Sequence, residues 1–333
     1  MKKRVIATAL FAALLVGACG GDNTEPAASE PAAQEPATET ESGDDKPTIN
    51  LIVNPWSASR LNAEVAKHLI ESELGYPVEI TEVNENDAMF TGMADGTLDA
   101  VLEIWPSGVT DAENAYFNDG SVVNIGELGA VGKIGWFVPS YVIEQHPELA
   151  TWEGYTTDEA AALFATAETG DQGRFLGTDP SYSQYDEQII SNLDLPFQVI
   201  FSGSEPATVA EVDGRVSAGE PVLLYWWTPT AAVAKYDLVN VALPEYTDTC
   251  GASAAAGDGG VDCDYPEDVL FKAASAKLQE KAPDVFSFLQ KFSITTDDQL
   301  EMLPPMEIDG DDPAAVAEAW IAAHGDVWSA WLD

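Results

Sequence analysis

INLIVNPWSASRLNAEVAKHLIESELGYPVEITEVNENDAMFTGMADGTLDAVLEIW, residues 49–105, alternates short β-rich runs with helical ones, and that alternation decides the fold class. INLIVN (49–54) reads as a strand closed by Pro55. Leu61, Val65 and Leu69 then recur at the spacing of one helix face, up to the stop at Gly75. VEITEV (78–83) is a second strand, followed by a helix around 88–94. LDAVLEIW (98–105) is a third strand, whose nearly unbroken apolar run fits the centre of a parallel sheet buried on both faces. This succession is the βαβ signature of an α/β lobe.

The pattern restarts after GKIGWFVPSYV (132–142). A helix around 158–167, RFLGT (174–178), a helix around 184–193, FQVIF (197–201), a helix around 208–218 and VLLYWW (222–227) make a second α/β set. LVNVAL (238–243) adds one more strand. Everything from Tyr265 onward reads as helix, including FKAASAKLQEKAPDVFSFLQKF (271–292) and AWIAAHGDVWSAWL (319–332). Two lobes are expected, the second inserted in the first: residues 48–138 with 238–333, and residues 139–237. Two crossings between lobes permit hinge closure around a ligand held in the cleft.

The N-terminus reads as a targeting segment. Lys2, Lys3 and Arg4 precede an apolar stretch, 5–16, too short for an ordinary membrane span. Val16-Gly17-Ala18-Cys19 resembles the lipobox of bacterial lipoproteins, which predicts cleavage before Cys19 and acylation of that cysteine; an ordinary signal peptide is the alternative. Either leader exports the mature chain. Residues 20–47, rich in Glu, Pro, Ala, Thr and Ser without an aromatic residue, read as a disordered tether. With 57 acidic and 14 basic residues the formal charge is -43, which opposes nucleic acid or an anionic bilayer as partner and fits a solvated surface in a salty exterior. Cys250 and Cys263 flank GASAAAGDGGVD, a stretch with no structure of its own to offer. In an oxidising compartment a bridge closing this short loop is expected, worth roughly 3 kcal/mol.

No residues are spaced for catalysis. His68, His146 and His324 are scattered, and the HExxH, P-loop and GxSxG patterns are absent, so no enzyme, metal or cofactor is expected. The tryptophans are placed differently. Trp56 in NPWSAS, Trp105 in LEIWPSG and Trp227 in LYWWTPT end apolar runs where the chain turns at once, a position suited to lining a cleft. Rings facing one point make a box for a quaternary ammonium group, at ~0.5–2 kcal/mol each. Three or four rings fall short of the about 8 kcal/mol of a micromolar ligand, so a polar anchor is also needed. Trp226, beside Trp227 on an extended run, is expected to face the other way, and Trp152, Trp320, Trp328 and Trp331 read as packing residues.

NPWSAS (54–59), LGYPVE (74–79), GTLDAVLEIWPS (96–107), GKIGWFVPSYV (132–142), GTDPSYS (177–183), GEPVLLYWWTP (219–229), FLQKFSITTDDQLEML (288–303) and DPAAVAEAWIAAHGDVWSAWL (312–332) occur in that order. As a set they resemble the glycine betaine/choline-binding proteins of ABC importers, over essentially all of residues 48–333. The resemblance implies an α/β, two-lobed periplasmic-binding-protein-like fold of type II, with the second lobe inserted in the first through two crossover segments. It implies a monomeric extracytoplasmic protein that captures a quaternary amine such as glycine betaine, proline betaine or choline. The ligand would pass to an ABC permease, near which the lipid on Cys19 holds the chain. The family's aromatic box falls on Trp105, Trp227 and Tyr182, and Trp56 matches a cage tryptophan of the choline-binding branch. In the betaine branch the backbone N–H groups after the tyrosine position take the ligand carboxylate, which implicates Ser183 and Gln184. Some betaine binders add a histidine shortly after the Trp105 position; this chain reads Pro106-Ser107-Gly108-Val109 there. The alternative is a pocket for another small solute, an amino acid or sulfonate, with Arg60 and Arg174 as the available anchors.

Overall fold

The structure, a computed structural model, describes residues 46–182 and 184–332. The predicted leader 1–19 with Cys19, the predicted tether as far as residue 45, and Ser183 lie outside the described residues. Lys46 is tied down: its Nζ donates to the Leu74 carbonyl at 2.5 Å and lies 4.2 Å over the Tyr76 ring.

Two parallel three-stranded sets carry the fold. In the first, β1 (Ile49–Val53) lies between β2 (Val78–Glu82) and β3 (Ala100–Ile104), and every residue of β3 is buried. In the second, β5 (Gly173–Gly177) lies between β6 (Phe197–Phe201) and β7 (Leu223–Thr228). The 18-residue β4 (Val122–Pro139) and β9 (Glu267–Ser275) join the sets as antiparallel strands. With β8 (Leu238–Val241), which pairs residues 136–139 of β4, they give one sheet in the order β2-β1-β3-β9-β4-β7-β5-β6. β4 belongs to both halves, since residues 122–133 pair with β9 and residues 133–137 with β7.

Helices cover this sheet where the sequence places an apolar stripe. The helix Ser57–Leu69 buries Leu61, Val65 and Leu69 and packs against the helix Pro313–Ala323. Capping sets the ends of others: Thr110 with Glu113, and Thr295 with Asp298, satisfy free backbone N–H groups reciprocally. No helix among the described residues is long and apolar enough to cross a membrane.

Two local expectations need correction. The run after Tyr265 does not begin as helix, because Glu267–Ser275 is β9. Its Ala and Lys content favours helix in isolation, but the stretch lies between β3 and β4 and finds ladder partners on both sides. Lys272 is thereby buried, with Nζ donating to the carbonyls of Gln290 and Phe292, and burial lowers its pKa to about 8. The stretch after Cys250 also has structure. Asp248–Ala256 is helical, started by the Thr247 hydroxyl accepting from the Cys250 N–H, and Cys250 is disulfide-bonded to Cys263.

Candidate functional site

β3 ends at Trp105, and the chain turns at once through Pro106–Gly108. That turn is pinned by β9: the Ser107 N–H and hydroxyl donate to the Asp268 carboxylate at 2.8 and 2.6 Å. Trp105 donates its own N–H to Glu85 Oε1 at 3.3 Å. Its ring lies flush against β4, where a Cβ on Gly132 would come within 2.2 Å of the indole. Only glycine leaves room there.

Trp56 precedes the helix Ser57–Leu69 in extended conformation and so projects from the end of β1. Both indoles are oriented by one buried carboxylate. Glu103 Oε1 accepts from Trp56 Nε1 at 2.7 Å and Trp105 Nε1 at 3.0 Å, while Oε2 accepts from Asn62 at 2.7 Å and Gln299 at 3.2 Å. Burial pushes Glu103 up to about 7, and these four donors oppose that rise. Tying the N–H edges to Glu103 leaves the ring faces for other contacts.

The other half of the sheet supplies the opposite wall. Tyr182 stands edge-on to both Trp56 and Trp227, with ring centroids 5.7 Å away in each case. Its hydroxyl donates to the Pro55 carbonyl at 2.5 Å, and burial first, then nearby carboxylates, raise its pKa. Tyr225 and Trp227, two apart on β7, lie together at 6.2 Å. Trp56, Trp105, Tyr182 and Trp227 all border one cavity of about 400 Å³, mouth included. Tyr225, Ile134, Glu85 and Ser181 complete its lining.

The remaining candidates lie elsewhere. Gln184 does not line the cavity: its N–H donates to the Tyr182 carbonyl at 2.8 Å and its side chain donates to the Asp179 carbonyl. Ser183 is outside the described residues. Trp226 does not turn its ring away as alternation predicts. It stacks on Trp227 at 4.4 Å, although only Trp227 borders the cavity and Trp226 Nε1 donates to Thr230. Trp320 and Trp331 are buried, and Trp152 and Trp328 pack half-buried against the core. Arg60 pairs with Glu82 and Arg174 with Glu211, and neither lines the cavity.

Five participants, Tyr225, Ile134, Glu103, Glu85 and Ser181, escaped sequence reasoning. Tyr225 carries a usable signal, being two residues from Trp227 on a strand, and Glu103 is the one acid after Asp99 in an otherwise apolar run. Glu85 and Ser181 stand in polar loops without such a signal.

Two carboxylates also reach between the halves. Glu205, at the start of the helix Glu205–Ala218 beyond β6, accepts from the Ser57 N–H and hydroxyl, both at 2.9 Å. Glu307 reaches back and accepts from the Ala231 N–H at 2.8 Å. Burial pushes Glu205 up to about 8 and Glu307 to about 7, and the Glu307 charge adds to the rise of Glu205.

A mixed sheet in two parallel halves, with a ring-lined cavity where they meet, defines a two-lobed α/β substrate-binding protein. The same fold occurs in lactococcal OpuAC, solved closed with glycine betaine, at 18% identity and TM-score 0.65 over 86% of this chain and 100% of that one. ProX from Borrelia burgdorferi, a glycine betaine/L-proline-binding protein, matches at 17% identity and TM-score 0.67 over 86% and 97%. An ABC-transporter choline-binding protein solved with choline matches at 20% identity and TM-score 0.66 over 86% and 91%. Residues 47–323 match the substrate-binding domain of ABC-type glycine betaine transport systems, and the chain belongs to that family.

Proposed function

We propose that this protein captures a quaternary ammonium solute, glycine betaine, proline betaine or choline, in the cage of Trp56, Trp105, Tyr182 and Trp227 and delivers it to an ABC permease. One observation carries the reading: five aromatic side chains, those four and Tyr225, border one cavity and come from both halves of the sheet. A trimethylammonium group offers no N–H to hydrogen-bond, so ring faces and apolar contact are what recognise it. The engagement of Arg60 and Arg174 by other carboxylates speaks against an amino acid or sulfonate. For a betaine carboxylate the proposed anchors are the N–H groups of Ser183 and Gln184, the latter exchanging the Tyr182 carbonyl for the ligand.

The proposed moving bodies are residues 48–138 with 238–333, and residues 139–237. The first crossing would run through β4, which pairs with β9 up to residue 133 and with β7 from there on. Cys19 is proposed as the lipid attachment that keeps the monomeric protein on the extracytoplasmic face, beside its permease. The family's role in ABC-type transport supports the permease as partner.

Isothermal titration with glycine betaine and choline tests the cage. The wild-type protein should bind at least one of them with micromolar affinity, whereas Trp105→Ala and Trp227→Ala should show no measurable binding while retaining the wild-type circular dichroism spectrum. Phe at either position, which keeps a ring, should retain a weakened site. Alanine variants that bind within a few-fold of wild type would refute the cage.

A further inference from the structure

A quaternary ammonium group is common to choline and the betaines, so selection between them falls to whatever faces the rest of the ligand. Glu85 lines the cavity beside the rings, with Oε1 held by the Trp105 N–H at 3.3 Å. No Lys, Arg or His is among the described lining residues. Below the rings lies the buried carboxyl of Glu103, joined to both indole N–H groups. The described N–H nearest to a carboxylate-binding role, that of Gln184, is already spent on the Tyr182 carbonyl. Ser181 Oγ is buried with no hydrogen-bond partner among the described residues, and Ser181 also lines the cavity. Among the described lining residues, an acid, an unpartnered hydroxyl and no base favour a cation with a small polar end over a second carboxylate.

We infer that Glu85 is a specificity-determining residue, selecting a carboxylate-free quaternary ammonium alcohol of the choline type over a zwitterionic betaine. The inference rests on the aromatic-cage reading above. The cation supplies the charge that Glu85 lacks in the lining, and the ligand hydroxyl pairs with Ser181 or with Glu85 Oε2. A betaine instead brings its carboxylate beside Glu85, where two carboxylates side by side cannot both ionise without mutual repulsion, so its binding gains nothing from ionising Glu85. Burial, with Glu113, Glu103 and Asp268 adding like charge, raises Glu85 well above the ordinary carboxylate range, and the Trp105 N–H opposes this. An entering cation favours the ionised form, so binding choline should release a proton.

The test is a titration of the full-length protein and its Glu85→Gln variant with choline and with glycine betaine at pH 7.5. Wild type should bind choline at least tenfold more tightly than glycine betaine. Glu85→Gln should weaken choline at least tenfold and leave glycine betaine unchanged or tighter. The wild-type ratio stands even if the variant does not fold. Equal affinities, or a wild-type preference for betaine, overturn the role of Glu85 while leaving the cage intact. So does a variant that loses betaine but keeps choline, since the carboxyl would then act as a neutral donor. Failure of wild type to bind either ligand is a different result, which overturns the cage and this inference with it.

Discussion

The position of the Trp105 ring depends on an atom that Gly132 does not have. A Cβ there would meet the indole Cζ3 at 2.2 Å and Cη2 at 2.3 Å, well inside van der Waals contact. The indole cannot slide away without breaking its 3.0 Å bond to Glu103. Gly132→Ala should therefore weaken choline or betaine binding at least tenfold by titration, although the residue makes no contact a ligand would lose. Unchanged affinity would mean that the ring is not fixed as described. At this scale the sequence was legible where a residue's chemistry and its place on the chain agreed. Trp56, Trp105 and Trp227 announce themselves by ending apolar runs at a turn. Glu85 does not, because it sits in NENDA, among other acids in a chain full of them. Trp226 stays off the cavity as expected, but its ring direction was not legible: alternation separates Cβ directions, yet a nine-atom ring system at the end of a strand can still fold back onto its neighbour.

Elements explain which parts of the fold could be read and which could not. β1, β2, β3 and the helices between them follow from local periodicity. β9 does not, because EDVLFKAAS becomes a strand through partners on β3 and β4, one more than 160 residues distant in the chain. The same long-range pairing holds the turn after Trp105 through Asp268. Elements also fix how the halves meet. Glu205 docks on the N-terminal turn of the helix Ser57–Leu69, where free N–H groups and the helix dipole favour a carboxylate. Glu307 makes the reciprocal contact at Ala231. Each contact joins segments that the proposed lobes assign to different bodies, so both are expected only in the closed form. Glu205→Ala should raise the ligand dissociation rate about tenfold, the worth of one to two net hydrogen bonds, and leave the ring geometry intact. Stopped-flow tryptophan fluorescence measures that rate, and an unaltered value would remove Glu205 from closure.

For the molecule as a whole, the buried acids set a direction for stability against pH. Burial is the leading cause that raises Glu103, Asp186 and Glu307 to about 7 and Glu205 to about 8. Each therefore holds a proton in the folded protein over a range where the unfolded chain, with ordinary carboxylates, has lost it. The folded state binds more protons than the unfolded state from about pH 4 to 8, so unfolding free energy falls as pH rises through that window. The formal charge of -43 acts in the same direction, since titrating acids off the surface relieves self-repulsion. Opposing groups lie outside the window. Asp284 is shifted below its ordinary range, so its contribution is lost only in stronger acid, and Lys272, lowered to about 8, titrates at the upper edge. Thermal unfolding followed by circular dichroism should give a Tm that drops by at least ~5 °C from pH 5.5 to pH 8.5, given about 2–4 °C per kcal/mol for a domain of this size. Glu205→Gln, which removes the acid with the highest of these values, should flatten that slope. A Tm that is level or climbing across the range would show that these carboxyls are ionised in the folded protein at no cost, and that the donors around Glu103 and Glu205 outweigh their burial.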